Sequence, residues 1–283
     1  MQMLGKAWVF LVILDEATPI FLNAMSEPLV DTSIPPPFPE HTQLPESDGT
    51  FMANFLKHPQ SIILTDSIVQ TLQNFHPDGQ YCIGQDCGIY WRETEPPEKG
   101  AVTSNWFYIP GVPPRLDGKV RRSYVFWREY RPPLIAIDLV SDNGDEERDA
   151  TSLYAVGLPK DAKPGKFWIY QRVIRIPYYA IYEINNQKLE VYHLTDFSYH
   201  QIQPNERGHY PIPPLEVELG LWQGSYLNNP EQLWLRWWDS TGNLLLMGRE
   251  EAHLAEQRAA KAEHKAAKLT ERLRSLGIDP DSE

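Results

Sequence analysis

The sequence predicts a mixed α/β (α+β) domain with a separate helix at its C-terminus, and three observations carry that prediction. One short amphipathic helix stands ahead of a series of strands. The run Leu134-Ile135-Ala136-Ile137-Asp138-Leu139-Val140 is apolar enough for a central strand buried on both faces. The last 36 residues change to a repeat of alternating three and four. Composition agrees: 42% of the 283 residues are apolar and 23% charged, which excludes a wholly disordered or collagen-like chain. Nine Trp, fourteen Tyr and twenty-five Pro favour an aromatic-rich β framework over a helical bundle. A net charge of −12 excludes a general nucleic-acid coat, so any nucleic-acid contact needs a local basic patch. With only Cys82 and Cys87 there is no disulfide scaffold, and a cytoplasmic location is the expectation.

The N-terminal 50 residues read as an extension. Ala7 to Leu14 is the longest apolar run, eight residues against the roughly 20 a spanning helix needs, so no membrane segment is expected. Lys6 precedes it as in a signal peptide, but Asp15 and Glu16 follow at once. An extension upstream of a second start at Met25 is the favoured reading. Residues 26–50, with Pro35-Pro36-Pro37 and scattered acids, read as an extended, solvated arm. The folded domain is placed at 51–247 and the C-terminal helix at 248–283.

Within the domain, Ile68, Val69, Leu72 and Phe75 predict a helix from Ser67 to Phe75, capped by Thr65 or Asp66. His76-Pro77-Asp78-Gly79 ends it. Gln80 to Trp91 reads as extended chain with a turn inside, and Asn105 to Ile109 as an aromatic strand stopped by Pro110-Gly111. After the 134–140 strand, Phe167, Tyr170 and Val173 give helical spacing over Lys166 to Val173. Tyr179–Ile184 and Leu189–Leu194 are strands joined at Asn185-Asn186. The order is α-β-β-β-α-β-β. Trp222, Trp234, Trp237 and Trp238 then form either a packed cap on the core or a binding surface, ended by a turn at 239–243. Last, Ala252, Ala255, Ala259, Ala262, Ala266, Leu269, Leu273 and Leu276 make the seam of a coiled coil, closed by Gly277. Such a seam serves either a homodimer or a helix lying on its own domain.

The chemistry-bearing residues are few. Cys82 and Cys87 with His76 make a poor zinc signature, and two small residues in a strand is the better reading. No phosphate-binding Gly loop, nucleophile elbow or zinc-protease helix is present. There remain Asp138, at the end of its buried strand, the acids of the 142–149 loop, and Lys166. Carboxylates with a nearby ammonium are what Mg²⁺-assisted phosphodiester hydrolysis requires, although acids in a loop are commonplace.

The stretches YCIGQDCGIYWRETEPP, NWFYIPGVPPRLDGKVRRSYVFWREYRPPLIAIDLVS, GKFWIYQRVIRIPYYAIYEI and ERGHYPIPPLEVELGLWQG resemble the Uma-two group of restriction endonucleases. The resemblance covers about residues 45–245, and the tail ending LRSLGIDPD is also similar. It implies the restriction-endonuclease-like PD-(D/E)XK core, a mixed central sheet flanked by helices. It implies a metal-dependent endodeoxyribonuclease using Mg²⁺ or Mn²⁺ on DNA. The family's first acid falls on Asn105, with Ser104 in place of the Pro; the second falls on Asp138. The usual E-x-K lysine position is Val140, and Lys166 takes that place from the following helix. Asp86, on the preceding strand, is a further metal-ligand candidate. Since Asn lacks the charge that holds a hard cation, the resemblance leaves two outcomes: a weakened nuclease, or a catalytically inactive module that binds nucleic acid or protein. DNA contacts are assigned to Lys119, Arg121, Arg122, Arg128 and Arg131, a run that would otherwise be a solvated loop.

Overall fold

The computed structural model describes residues 39, 43–44, 55–141, 143–157 and 162–277. Residues 1–38 and most of the 26–50 arm lie outside the described residues. Helix α1 (Lys57–Phe75) leads to β1 (Tyr81–Tyr90) and β2 (Ala101–Pro110). A hairpin of β3 (Arg115–Leu116) and β4 (Lys119–Val120) precedes β5 (Tyr124–Val125) and the single turn α2 (Phe126–Glu129). Then come β6 (Ile135–Val140), the turn α3 (Asp145–Arg148), and α4 (Lys166–Trp168), which runs on as a π-helix over Ile169–Ile174. Strands β7 (Tyr178–Glu183), β8 (Lys188–Thr195) and β9 (Ser198–Gln201) follow. A second group, β10 (Tyr210–Ile212), β11 (Val217–Tyr226) and β12 (Asn229–Asp239), ends in α5 (Gly248–Ser275).

Seven strands form one mixed sheet in the order β5-β1-β2-β6-β7-β8-β9, and β10-β11-β12 form a second. Strand β6 is parallel to β7 and antiparallel to β2. All six of its residues are buried, as its unbroken apolar run requires. One face of the large sheet is covered by α1 and the second sheet, through Leu64, Ile68, Leu72, Leu219, Leu235 and Trp237. The other face carries the π-helix, through Ile169, Tyr170 and Ile174. Trp234 and Trp237 are fully buried, so these members of the Trp-rich stretch are packing groups.

Two local expectations change. The first helix begins ten residues earlier than Ser67, at Lys57, with no side-chain cap. Thr65 is mid-helix, its hydroxyl donating to the Ser61 carbonyl (2.9 Å) and accepting from Trp106 Nε1 (2.9 Å). Buried Gln60 and Ser61 extend the packed face where only apolar residues signal it. The stretch 80–91 holds no turn: β1 is one ten-residue strand, with Asp86 alone in the left-handed region at φ 47°.

That residue marks a switch of faces. On β1, Tyr81 and Ile83 face the α1 side and Cys82 the π-helix side, yet beyond Asp86 it is Cys87 and Ile89 that face the π-helix. On β2, Trp106 and Tyr108 face α1 and Phe107 and Ile109 the π-helix, but Val102 has joined the latter. Strand side chains alternate strictly by two. One residue in each strand, Asp86 and Asn105, therefore stands outside the alternation. The paired register runs Gln85↔Trp106 then Cys87↔Ser104, passing over both.

Helix α1 is pinned by an amide that behaves like a strand. Gln60 Nε2 donates to the Leu235 carbonyl (2.9 Å) and Gln60 Oε1 accepts from Leu235 N–H (2.8 Å). Gln60→Ala leaves both backbone groups of Leu235 buried and unpaired. We expect a loss of about 2 kcal/mol, read as a lower urea midpoint at unchanged slope; an unchanged midpoint would show that water replaces the amide.

Candidate active site

Strands β2 and β6 pair from Tyr108↔Ile135 to Trp106↔Ile137 and then separate. Asn105 occupies the fork. Its side-chain Oδ1 accepts from Leu139 N–H (2.8 Å), and its own backbone N–H donates to Asp138 Oδ1 (3.2 Å). Its carbonyl accepts from Ser61 Oγ (3.3 Å). Leu139 N–H and both backbone groups of Asn105 are thus paired where the strands part.

A backbone N–H only donates, so it fixes which end of the Asn105 amide faces it. The other end, Nδ2, points at Asp86 and donates to its Oδ1 (2.6 Å). Asp86 is held above the usual carboxylate range by burial, a shift the Asn105 hydrogen bond opposes.

Asp138, its side chain 1% exposed, is the centre of the group. Its Oδ2 accepts from the Tyr179 hydroxyl (2.7 Å) and meets Lys166 Nζ at 3.1 Å. Lys166 also reaches Glu147 Oε1 at 3.4 Å. Burial raises the Glu147 carboxyl; the charge of Lys166 lowers it and that of Asp138 raises it again. Tyr170, Tyr179 and Tyr199 surround the acid, and burial first, then the Asp138 charge, holds all three phenols well above their ordinary value. They remain neutral phenols. The Tyr170 hydroxyl is buried with no hydrogen-bond partner among the described residues.

The structure therefore brings Asp86, Asn105, Asp138 and Lys166 into one cluster, from β1, β2, β6 and the first turn of α4. Glu147, Tyr179 and Tyr170 join it without having been singled out individually. Glu147 was one acid in a loop of several, and Asp142 of that loop lies outside the described residues. Tyr179 had a usable signal: set parallel to β6 in the register Ala136↔Tyr179, it faces the same side as Asp138.

The donor set does not fit a tightly held divalent cation. Among the described residues no three His, Cys, Asp or Glu side chains converge as a metal group. Asn105 offers the cleft a donor nitrogen, its oxygen being committed to Leu139. Both Asp138 oxygens are engaged by protein donors. Hard cations need several free oxygens.

The assigned basic run divides. Arg121 is turned inward onto Glu129 (2.7 Å) and the Pro113 carbonyl (2.9 Å), and Arg128 pairs with Asp117 (3.0 Å). Lys119, Arg122 and Arg131 are exposed. Cys82 and Cys87 lie on β1 as thiols that donate to the Pro113 (3.2 Å) and Arg122 (3.4 Å) carbonyls.

A family model, described as Uma2, putative restriction endonuclease, matches residues 39–228. The chain belongs to the Uma2 family. A search of curated proteins gives no match. The membership and the mixed seven-stranded sheet with flanking helices together make this a restriction-endonuclease-like fold. No helix among the described residues is long and apolar enough to cross a membrane.

In this Uma2 member the loop carrying Glu147 is anchored by its neighbour. Arg148 binds Glu183 (2.5 Å) and Glu190 (2.8 Å) at the ends of β7 and β8, and Lys188 adds a contact to Glu190 (2.7 Å). Burial alone would raise the Glu190 carboxyl, but hydrogen bonds from Lys188, Arg148 and Tyr192 bring it down to about 2. A folded pKa below the unfolded one stabilises the native state above the unfolded value and loses that stabilisation as pH falls through the folded one. Stability should therefore decline between about pH 4.5 and 2, with a shallower slope in Glu190→Gln. Equal slopes for the two proteins in acid-denaturation curves would place the linkage elsewhere.

Proposed function

We propose that this protein is an attenuated DNA endonuclease, acting on phosphodiester bonds through the cluster at the β2–β6 fork. The family points to nuclease-like chemistry. The observation that carries the attenuation is the orientation of Asn105, which presents N–H to Asp86 where the family pattern has a carboxylate.

The residues present divide the work as follows. Asp138 and Glu147 hold the Lys166 ammonium, which is only partly buried. A cation so fixed stabilises charge developing on a phosphate oxygen. Glu147, its pKa raised by burial, is the carboxyl best matched to accept a proton from an attacking water. Tyr179 keeps Asp138 in place. Exposed Lys119, Arg122 and Arg131, beside β5 at the β1 edge of the sheet, supply backbone contacts to DNA. Mg²⁺ or Mn²⁺, the ion of the family pattern, would be held tightly only once an oxygen replaces the Asn105 nitrogen.

The same orientation also supports a second reading, a cleft that binds DNA without cutting it. Plasmid nicking with Mg²⁺ or Mn²⁺ separates the two. We expect slow nicking by the protein as it stands, at least a tenfold increase in Asn105→Asp with tighter metal binding by calorimetry, and loss of both in Asn105→Asp with Asp138→Ala. One carboxylate beside a cation is worth several kcal/mol at an effective dielectric near 20, so a tenfold gain is a modest demand. Binding of DNA with no nicking by any variant would favour the second reading, and neither binding nor nicking would remove both. Without metal, Asn105→Asp should be less stable than the parent in urea, because a third carboxylate replaces a donor between Asp86 and Asp138.

A further inference from the structure

We propose that α5 pairs with α5 of a second copy of this chain, parallel and in register. The helix is built as a free-standing rod. Its 28 residues, about 42 Å at the usual rise, include none that is buried. Its root, by contrast, is fixed. Fully buried Arg236 holds Glu250 through two hydrogen bonds (2.7 and 3.1 Å), and Glu250 accepts from Met247 N–H (2.9 Å). Arg249 lies over the Tyr226 ring at 4.2 Å. A partner helix therefore meets a preorganised surface, which lowers the ordering cost of association.

The apolar face of the rod has the heptad spacing of a two-stranded coil. Ala252, Ala259, Ala266 and Leu273 take the first core position; Ala255, Ala262, Leu269 and Leu276 take the second. Leu269 is 55% exposed and Leu276 67%, and nothing among the described residues covers them. The flanking charges choose the occupant and its direction. Before each first core position stand Glu251, Arg258, Lys265 and Arg272; after the second stand Glu256, Glu263 and Thr270.

Parallel pairing in register sets Arg258 against the partner's Glu263, twice by symmetry, and Lys265 against the uncharged Thr270 of the partner subunit. Its one repulsion, Glu251 against the partner's Glu256, falls in the first turns, where the helix dipole favours acids. Antiparallel pairing over the same span sets Lys265 against itself, Glu263 against itself and Arg258 against the partner's Arg272. Every charged pair it forms is between like charges. The parallel copy also stacks three Leu layers at the far end, beyond five Ala layers near the domains.

Light scattering on the full chain tests the partner. We expect a dimer that becomes a monomer when the chain is ended after Glu251, a cut that keeps Glu250 on Arg236. A second set of variants tests direction. Arg258→Glu turns an attraction into a repulsion in the parallel pair and should weaken dimerisation about tenfold, with recovery in Arg258→Glu combined with Glu263→Arg. In an antiparallel pair Arg258→Glu instead meets an arginine and strengthens the dimer. With Cys82 and Cys87 replaced by Ser, Leu269→Cys should cross-link to its own copy on mild oxidation. A monomeric full chain, a dimer that survives the truncation, or strengthening by Arg258→Glu would each overturn the proposal.

Discussion

A single amide side chain closes the gap that the active cluster occupies. Where β2 and β6 part, the ladder leaves Leu139 N–H and both backbone groups of residue 105 without strand partners, and the region is too buried for water to be a cheap substitute. Asn105 settles all of them within one residue: its oxygen takes Leu139, its N–H goes to Asp138, its carbonyl receives Ser61. The exchange of faces on β1 and β2 follows from the same residue. Asn105 can point along the sheet only because it sits outside the alternation, and its neighbour across the strand, Asp86, adopts a left-handed backbone to match. Asp and Asn tolerate that conformation better than most side chains. Fold irregularity and site are one feature.

The two faces of the sheet then do different things. The α1 face is apolar and fastened by hydrogen bonds from side chains to main chain, Gln60 to Leu235 and Trp237 to Leu64. The π-helix face holds a buried acid, which survives there because phenol, ammonium and amide all donate to it. The π-helix follows directly on the short helix that begins with Lys166, and widened turns of this kind are often found at functional sites. Ring-on-ring contacts among Phe167, Tyr179, Tyr192 and Tyr199 fix the phenol that faces Asp138. A network this dense is sensitive at its margin, and that margin is the Arg148 bracket under the Glu147 loop.

Much of this was legible in the residues. An unbroken apolar run with one acid near its end reads as a central strand, and β6 is buried throughout with Asp138 inward. Helical spacing after Lys166 placed that lysine at a helix start beside the strand. What could not be read depends on partners distant in sequence. Thr65 looks like a cap until Trp106 donates to it from 41 residues away. Arg121 looks like a DNA contact until Glu129, eight residues on, pairs with it. Asn105 is the sharpest case. Its type allows either end of the amide to face the cleft, and only the Leu139 N–H, 34 residues on, selects the nitrogen.

That selection sets the charge of the site. Asp86, Asp138 and Glu147 are three acids in a desolvated cluster; Lys166 contacts two of them, and the charges of Lys57 and His58 act on Asp86. Repulsion between carboxylates this close normally forces protonation or draws in a metal ion. Here Asn105 donates to both acids, Nδ2 to Asp86 and the backbone N–H to Asp138, and supplies the positive end of a dipole where the family pattern has a fourth negative charge. Lys166 is shared between Asp138 and Glu147, and the Asn105 amide donates to Asp86. The cluster is held as a hydrogen-bonded unit, and the donors that hold it occupy oxygens a divalent ion would need. A carboxylate at position 105 would keep the acceptor for Leu139 and remove only the donor. The fork would still close, and the charge it then carried would add to the repulsion from Asp86 and Asp138 and favour a counter-ion.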